Sequence, residues 1–114
     1  MIHGSWVTGT IATGGGTLSG AIDLGREYDT VIIEIPTIDT AQITIRGAEN
    51  ATATYFDLYV TNLADGGNKK LITASGTGGL TWIAPIGGFR YLKLFASAGQ
   101  TTGAKVFSLQ GVRS

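Results

Sequence analysis

The 114-residue chain reads as all-β: an antiparallel β-sandwich of jelly-roll type, built from about nine short strands. Three observations point there. Apolar residues recur with period two in short runs, and nowhere do they hold an i, i+3, i+4, i+7 spacing for three turns. Glycine supplies 18 of the 114 residues, and threonine recurs in nearly every segment, so helix formers are thin. Clusters of Gly, Asn and Asp break the runs roughly every 8–12 residues, the spacing of a sandwich or barrel. A closed barrel is the alternative architecture.

The runs follow in order. Residues 6–13 alternate Thr8, Thr10 and Ala12 with Val7, Gly9 and Ile11, and Gly14–Gly15–Gly16 ends them. In a second strand Leu18, Gly20, Ile22 and Leu24 share one face, with Ser19, Ala21 and Asp23 opposite. Residues 31–35 form a third, stopped by Pro36, which has no N–H for a ladder. Ile43 and Ile45, set between Gln42, Thr44 and Arg46, make a half-buried strand. Residues 55–60 alternate Phe56, Leu58 and Val60 with Tyr55, Asp57 and Tyr59. Asp65–Gly66–Gly67–Asn68 is a turn. Short strands are expected over 69–74, over 80–84 between a turn at 76–79 and Pro85, over 89–96 and over 106–112. No linker or composition shift divides the chain, so residues 1–114 are one expected domain. Its first 17 residues are read as an N-terminal arm or an added edge strand.

Composition removes several functions. Lys+Arg and Asp+Glu are both 8, so the net charge is zero, and the basic footprint of a nucleic-acid binder is missing. No cysteine is present, which excludes a disulfide framework and a Cys-based zinc site. No run approaches the roughly 18 apolar residues of a membrane span, so no membrane partner is expected. The opening residues lack the basic and apolar regions of a signal peptide, and the expectation is a soluble protein made in the cytoplasm. The charged fraction is 14% beside 43% hydrophobic residues, where about 25% charge is usual. Either a partner or further copies of the chain cover its surface, or that surface is neutral and rich in Thr and Ser.

Little in the chain could build a reactive centre. A triad needs a histidine held against a nucleophile and a carboxylate, and the single histidine, His3, sits at the N-terminus, where it reads as a surface residue. Most of the eight carboxylates flank turns, where Asp caps its own backbone; Glu34 and Asp57 lie within strands and read as outward residues. Gly14–Gly15–Gly16 and Gly78–Gly79 precede strand patterns, so they are hairpin turns and not phosphate loops. Asp65–Gly66–Gly67–Asn68 lacks the frame of a calcium loop. Asn50–Ala51–Thr52 fits the glycosylation sequon, which without a secretory signal reads as idle. No catalytic, cofactor-binding or metal-ligating residue is assigned, no cofactor is expected, and the chain is read as a non-enzyme. Trp and Tyr side chains on a sandwich face could instead stack on sugars, although they more often fill a core or an interface.

Three stretches together carry a resemblance. One is Ala21–Ile22–Asp23–Leu24–Gly25, leading into Val31–Ile32–Ile33–Glu34–Ile35–Pro36 and Ala41–Gln42–Ile43–Thr44–Ile45. Another is Gly88–Phe89–Arg90–Tyr91–Leu92–Lys93–Leu94, followed by a small polar turn with Ser97 and Gln100. The last is the closing strand Phe107–Ser108–Leu109. This order resembles small virion structural proteins of tailed bacteriophages, of the capsid decoration or cement type, over residues 21–112. The chain departs from that pattern at Arg46–Gly47–Ala48–Glu49–Asn50, where the family commonly has S-x-D-G, and near the final strand, where only Lys105 stands for the usual basic residue.

The resemblance implies a non-enzymatic virion component on the capsid surface, assembled in the host cytoplasm. Its implied partners are the major capsid protein and copies of itself, as a homotrimer, met through strand edges and loops. Trp6, Ile11 and Trp82 are the candidate lattice or partner contacts. The alternative is a carbohydrate- or receptor-binding sandwich module of a phage tail, for which a glycan would be the ligand.

Overall fold

The computed structural model describes residues 2–62 and 67–113. Those residues form strands, turns and bends, with no helix among them. In chain order the strands are β1 (Ile2–His3), β2 (Val7–Ile11), β3 (Gly16–Leu18), β4 (Ile22–Asp23), β5 (Thr30–Ala41) and β6 (Ile43–Ala48). They continue as β7 (Phe56–Asp57), β8 (Tyr59–Asn62), β9 (Gly67–Lys70), β10 (Gly76–Pro85), β11 (Tyr91–Gln100) and β12 (Lys105–Arg113). The first sheet runs β12–β5–β10, with β1 and β2 placed end to end along the outer side of β12. The second runs β11–β6–β7, with β3 and β4 likewise sharing the outer side of β11. Every pairing is antiparallel, and β8 and β9 form a separate hairpin.

The alternating pattern explains the core. Ile11, Val31, Ile33, Ala84, Phe107 and Leu109 of the first sheet are fully buried. So are Ile43, Ile45, Leu92, Leu94 and Ala96 of the second, with Ile22 all but so. They form one apolar cluster between the two sheets. The intervening residues of each strand therefore point outward. The structure is thus the two-sheet antiparallel sandwich expected from the period-two runs, and the first 17 residues supply β1, β2 and the start of β3.

Several elements differ from their sequence expectation. Pro36 does not stop its strand: β5 continues to Ala41. Pro36 lies beyond the last β5–β12 pair, Glu34–Ser108, and between the Ile35–Leu80 and Thr37–Gly78 pairs, next to the register shift that β10 makes between Gly76 and Gly78. A proline is tolerated where the ladder is interrupted in this way. Gly78 and Gly79 there have φ values of 75° and 71°, so residues 76–79 bend within β10 and are not a separate turn. The single strand expected around Leu18–Leu24 is two pieces, and Leu18 is exposed while Ser19 is buried. Ser19 N–H donates to the Leu94 carbonyl at 2.9 Å, and its hydroxyl accepts from Leu94 N–H at 2.9 Å. A side chain thus replaces a backbone acceptor and breaks the alternation. The run at 55–60 is split at Leu58 into β7 and β8, and that at 69–74 is β9 followed by an isolated Thr44–Ile72 bridge. Of the turn at Asp65–Gly66–Gly67–Asn68, the first two residues lie outside the described residues, and the other two belong to β9.

Ser97 and Gln100 are not in a turn: β11 runs to Gln100, which is fully buried. The Gln100 side chain accepts from Asp39 N–H at 2.8 Å and donates to the carbonyls of Ala98 at 3.0 Å and Asp39 at 3.3 Å. Asp39 completes the corner. Its carboxylate accepts from the N–H of Thr101 and the hydroxyl of Thr102, and further from Thr102 N–H and the Thr101 hydroxyl. These bonds hold its pKa down to about 2 from 3.8. A carboxylate with a lowered folded-state pKa contributes stability that is present above its unfolded value and is lost as pH falls through the folded one. Asp39→Asn should therefore lower the melting temperature at pH 7, and the gap from wild type should close between about pH 4 and pH 2. Thermal melts across that range test it; a gap independent of pH would disprove the role of the charge.

Candidate contact surfaces

The register sets out the outer face of the first sheet in rows. Thr81, Glu34, Ser108 and Thr8 stand side by side across β10, β5, β12 and β2. Ile83, Ile32 and Gln110 form the next row, and Val106 stands opposite Thr10. Glu34 is the single charge in these rows. Ile83 is 66% exposed and Val106 50%. This is a surface of threonine, serine and glutamine with apolar side chains set into it, and Glu34 is the only charge in these rows that dehydration would strip of water.

The outer face of the second sheet is its chemical opposite. Asp23, Tyr91 and Ala48 form one row, Lys93, Arg46 and Asp57 a second, and Leu18, Phe95 and Thr44 a third. Arg90 holds the Asp23 carboxylate with two bonds, at 2.7 and 2.9 Å. Arg46 and Lys70 flank Asp57 at 2.9 and 3.2 Å. The Arg90 bonds, with one from Gly25 N–H, keep the Asp23 carboxyl below its usual range. Burial alone would raise the Asp57 carboxyl, but Arg46 and Lys70 outweigh it. Partly exposed pairs of this kind are each worth under about 1 kcal/mol, so their main effect is to keep this face charged and hydrated.

Cations also cover the aromatic rings here. The Arg46 guanidinium lies 4.3 Å from the centre of Phe95, Lys93 Nζ 4.6 Å from Tyr55 and the Arg90 guanidinium 5.0 Å from Tyr91. Burial, together with the charges of Tyr91 and Asp23, pushes the Tyr55 hydroxyl pKa up. A sugar-stacking platform needs open ring faces, and these three each have a cation on one of them.

The candidate contacts do not form one patch. Trp6 precedes β2 and is 49% exposed. Ile11 is a fully buried core residue. Trp82 lies on β10, half-buried against the core cluster. His3 is exposed on β1 and shares an open groove of about 410 Å³ with Ser5 and Asp23. Among the described residues no hydrogen bond joins His3 to either of them, and the Asp23 carboxylate is taken by Arg90 and Gly25. Also among the described residues, no three His, Asp or Glu side chains converge as a metal site would require. Residues that sequence reasoning passed over, Ile83, Val106 and Thr81, supply the neutral face. For Thr81 and Ile83 the signal is their strand, Gly76–Pro85, which has no charged residue.

No family model matches the sequence, and no curated protein matches it either. Solved structures that align with the chain include the following two. The Pam1 cyanophage capsid asymmetric unit aligns over 98% of this chain and 88% of that one, with 18% identity and a TM-score of 0.33, a score at which the likeness carries no argument. The SPBc2 prophage-derived protein YomS aligns over 97% of this chain and 95% of that one, with 16% identity and a TM-score of 0.59. At that identity the likeness to YomS is one of fold, and it extends over the whole sandwich.

Proposed function

We propose that the chain is a non-enzymatic structural protein of a tailed-phage virion, and more narrowly a decoration or cement protein that lays the neutral face of its first sheet on the outer surface of the head. The observation that carries this reading is the contrast between the two outer faces. One has a single carboxylate, Glu34, among threonines, serine, glutamine and exposed isoleucine and valine. The other carries arginines, lysines and aspartates in mutual contact. A protein bound flat on a lattice buries the first kind and shows water the second. The partners are the head-surface protein and copies of the chain itself, and the place is the capsid surface of a virion assembled in the host cytoplasm.

The strand order supports the jelly-roll reading. Leaving aside the β8–β9 hairpin, the chain passes between the sheets from β2 to β3, from β4 to β5, from β5 to β6, from β7 to β10, from β10 to β11 and from β11 to β12. That alternation is what a double Greek key would produce, and it supports a jelly roll, an architecture used in viral capsid domains. The fold shared with a prophage-derived protein supports the phage half of the reading.

Co-sedimentation with empty heads of the phage that carries this gene is the test. Wild type should pellet with the heads. Thr8→Asp combined with Ser108→Asp, placing two charges beside Glu34, should weaken binding at least about tenfold, while Lys93→Gln on the opposite face should leave it unchanged. A wild type that stays in the supernatant defeats the reading.

A further inference from the structure

We infer that the free edge of β10 pairs antiparallel with β10 of a second copy of this chain. Among the described residues the only strand paired to β10 is β5, so its other side offers unpaired backbone groups. Natural edge strands are normally blunted by charge, by shortness or by a cover, because such an edge is a template for another strand. The far edge of the second sheet follows that rule: β7 has two residues, and Asp57 on it is held by Arg46 and Lys70. β10 has ten residues, Gly-Thr-Gly-Gly-Leu-Thr-Trp-Ile-Ala-Pro, and none is charged. Leu80 and Ile83 on it are exposed.

The neutrality selects the occupant. Two-fold pairing sets identical strands against each other, and like charges across an antiparallel ladder are destabilising. A strand with no charge meets no such penalty from its own copy, and it offers nothing to a charged arm from another protein. Geometry then selects the register. Gly78 and Gly79 kink the start of β10 and Pro85 has no N–H to give, which leaves residues 80–84 as the regular segment. Opposed residues must share a face, so a two-fold passes through a residue, and the midpoint is Trp82. Thr81 then stands opposite Ile83 of the second copy, and Leu80 opposite Ala84. The two neutral faces join into one of double width. The resulting unit is two-fold, in place of the trimer that the family resemblance implies. The pairing stands on the strand itself and is independent of the capsid reading.

Sedimentation and cross-linking test it. Wild type should sediment at twice 11.8 kDa. Thr81→Lys/Ile83→Lys should be a folded monomer whose melt no longer depends on protein concentration, and so should Thr81→Glu/Ile83→Glu. Mixed together, the two should recover the dimer, because each lysine then faces a glutamate. The chain has no cysteine, so Thr81→Cys/Ile83→Cys should cross-link only to its own copy, at a Cα separation that a disulfide spans. A wild type that is monomeric at about 100 µM, a loading that reveals any tighter Kd, overturns the inference. So does a trimer, or a dimer that survives the lysine pair. A dimer that fails to pellet with heads would keep this pairing and sink only the capsid proposal.

Discussion

Phe107→Ala should destabilise the fold by about 3–5 kcal/mol, a large share of the roughly 5–15 kcal/mol that holds a domain of this size together. Phe107 is the largest fully buried side chain, and it lies where both sheets meet. The surroundings are poorly able to collapse onto the cavity. Gly9 stands opposite it on β2, and the space that a Cβ there would occupy is already taken by the Ile22 side chain, 2.3 Å away. Urea unfolding is the measurement: the midpoint should drop with the slope unchanged. A loss below about 1 kcal/mol would mean that the two sheets do not close over this residue.

The second large effect is expected at a glycine. Gly78→Ala should cost about 3 kcal/mol or more, from two sources. The residue has a φ of 75°, a conformation that side chains rarely adopt, and an added Cβ would sit 2.0 Å from the Pro36 carbonyl oxygen. The obstacle is backbone, so relief requires β5 to move. Gly79→Ala is the control. Its φ is 71° but nothing lies within 4 Å of the added carbon, so it should cost only about 1 kcal/mol. Chemical denaturation of both variants separates strain from clash, and equal losses would show that Pro36 is not in the way.

That same glycine shows where sequence reasoning stopped. The strands with an uninterrupted apolar alternation, such as residues 106–112, were legible because period two survives burial of one face. Seen alone, Gly76–Gly79 looks like a turn and puts the start of β10 four residues too late; only its pairing with β5 shows a register shift within a continuing strand. Ser19 and Gln100 were invisible for a related reason. Each is a polar residue whose side chain satisfies backbone groups brought from far along the chain, and no local pattern announces such a partner.

The contact surfaces were legible only in their composition. Low charge was plain from the sequence, but its distribution was not, since the register decides which residues share a face. Arg46 meets Phe95, Lys93 meets Tyr55, and Thr81 joins Thr8 only once β12 and β5 lie between them. Ile11 stands among the candidate contacts that the resemblance implies, yet its inward phase on β2 puts it in the core.

The pairing of β2 with β12 also bears on how the chain acquires its shape. An early strand lies against the last one, and β12 is the partner of β5 as well. Closing contacts so far apart in sequence is entropically slow. On the ribosome, β2 and one side of β5 must wait until β12 has emerged, at about 5–20 residues per second. The first sheet is thus completed only once β12 has left the ribosome, and until then the apolar residues of its strands depend on whatever keeps nascent chains apart.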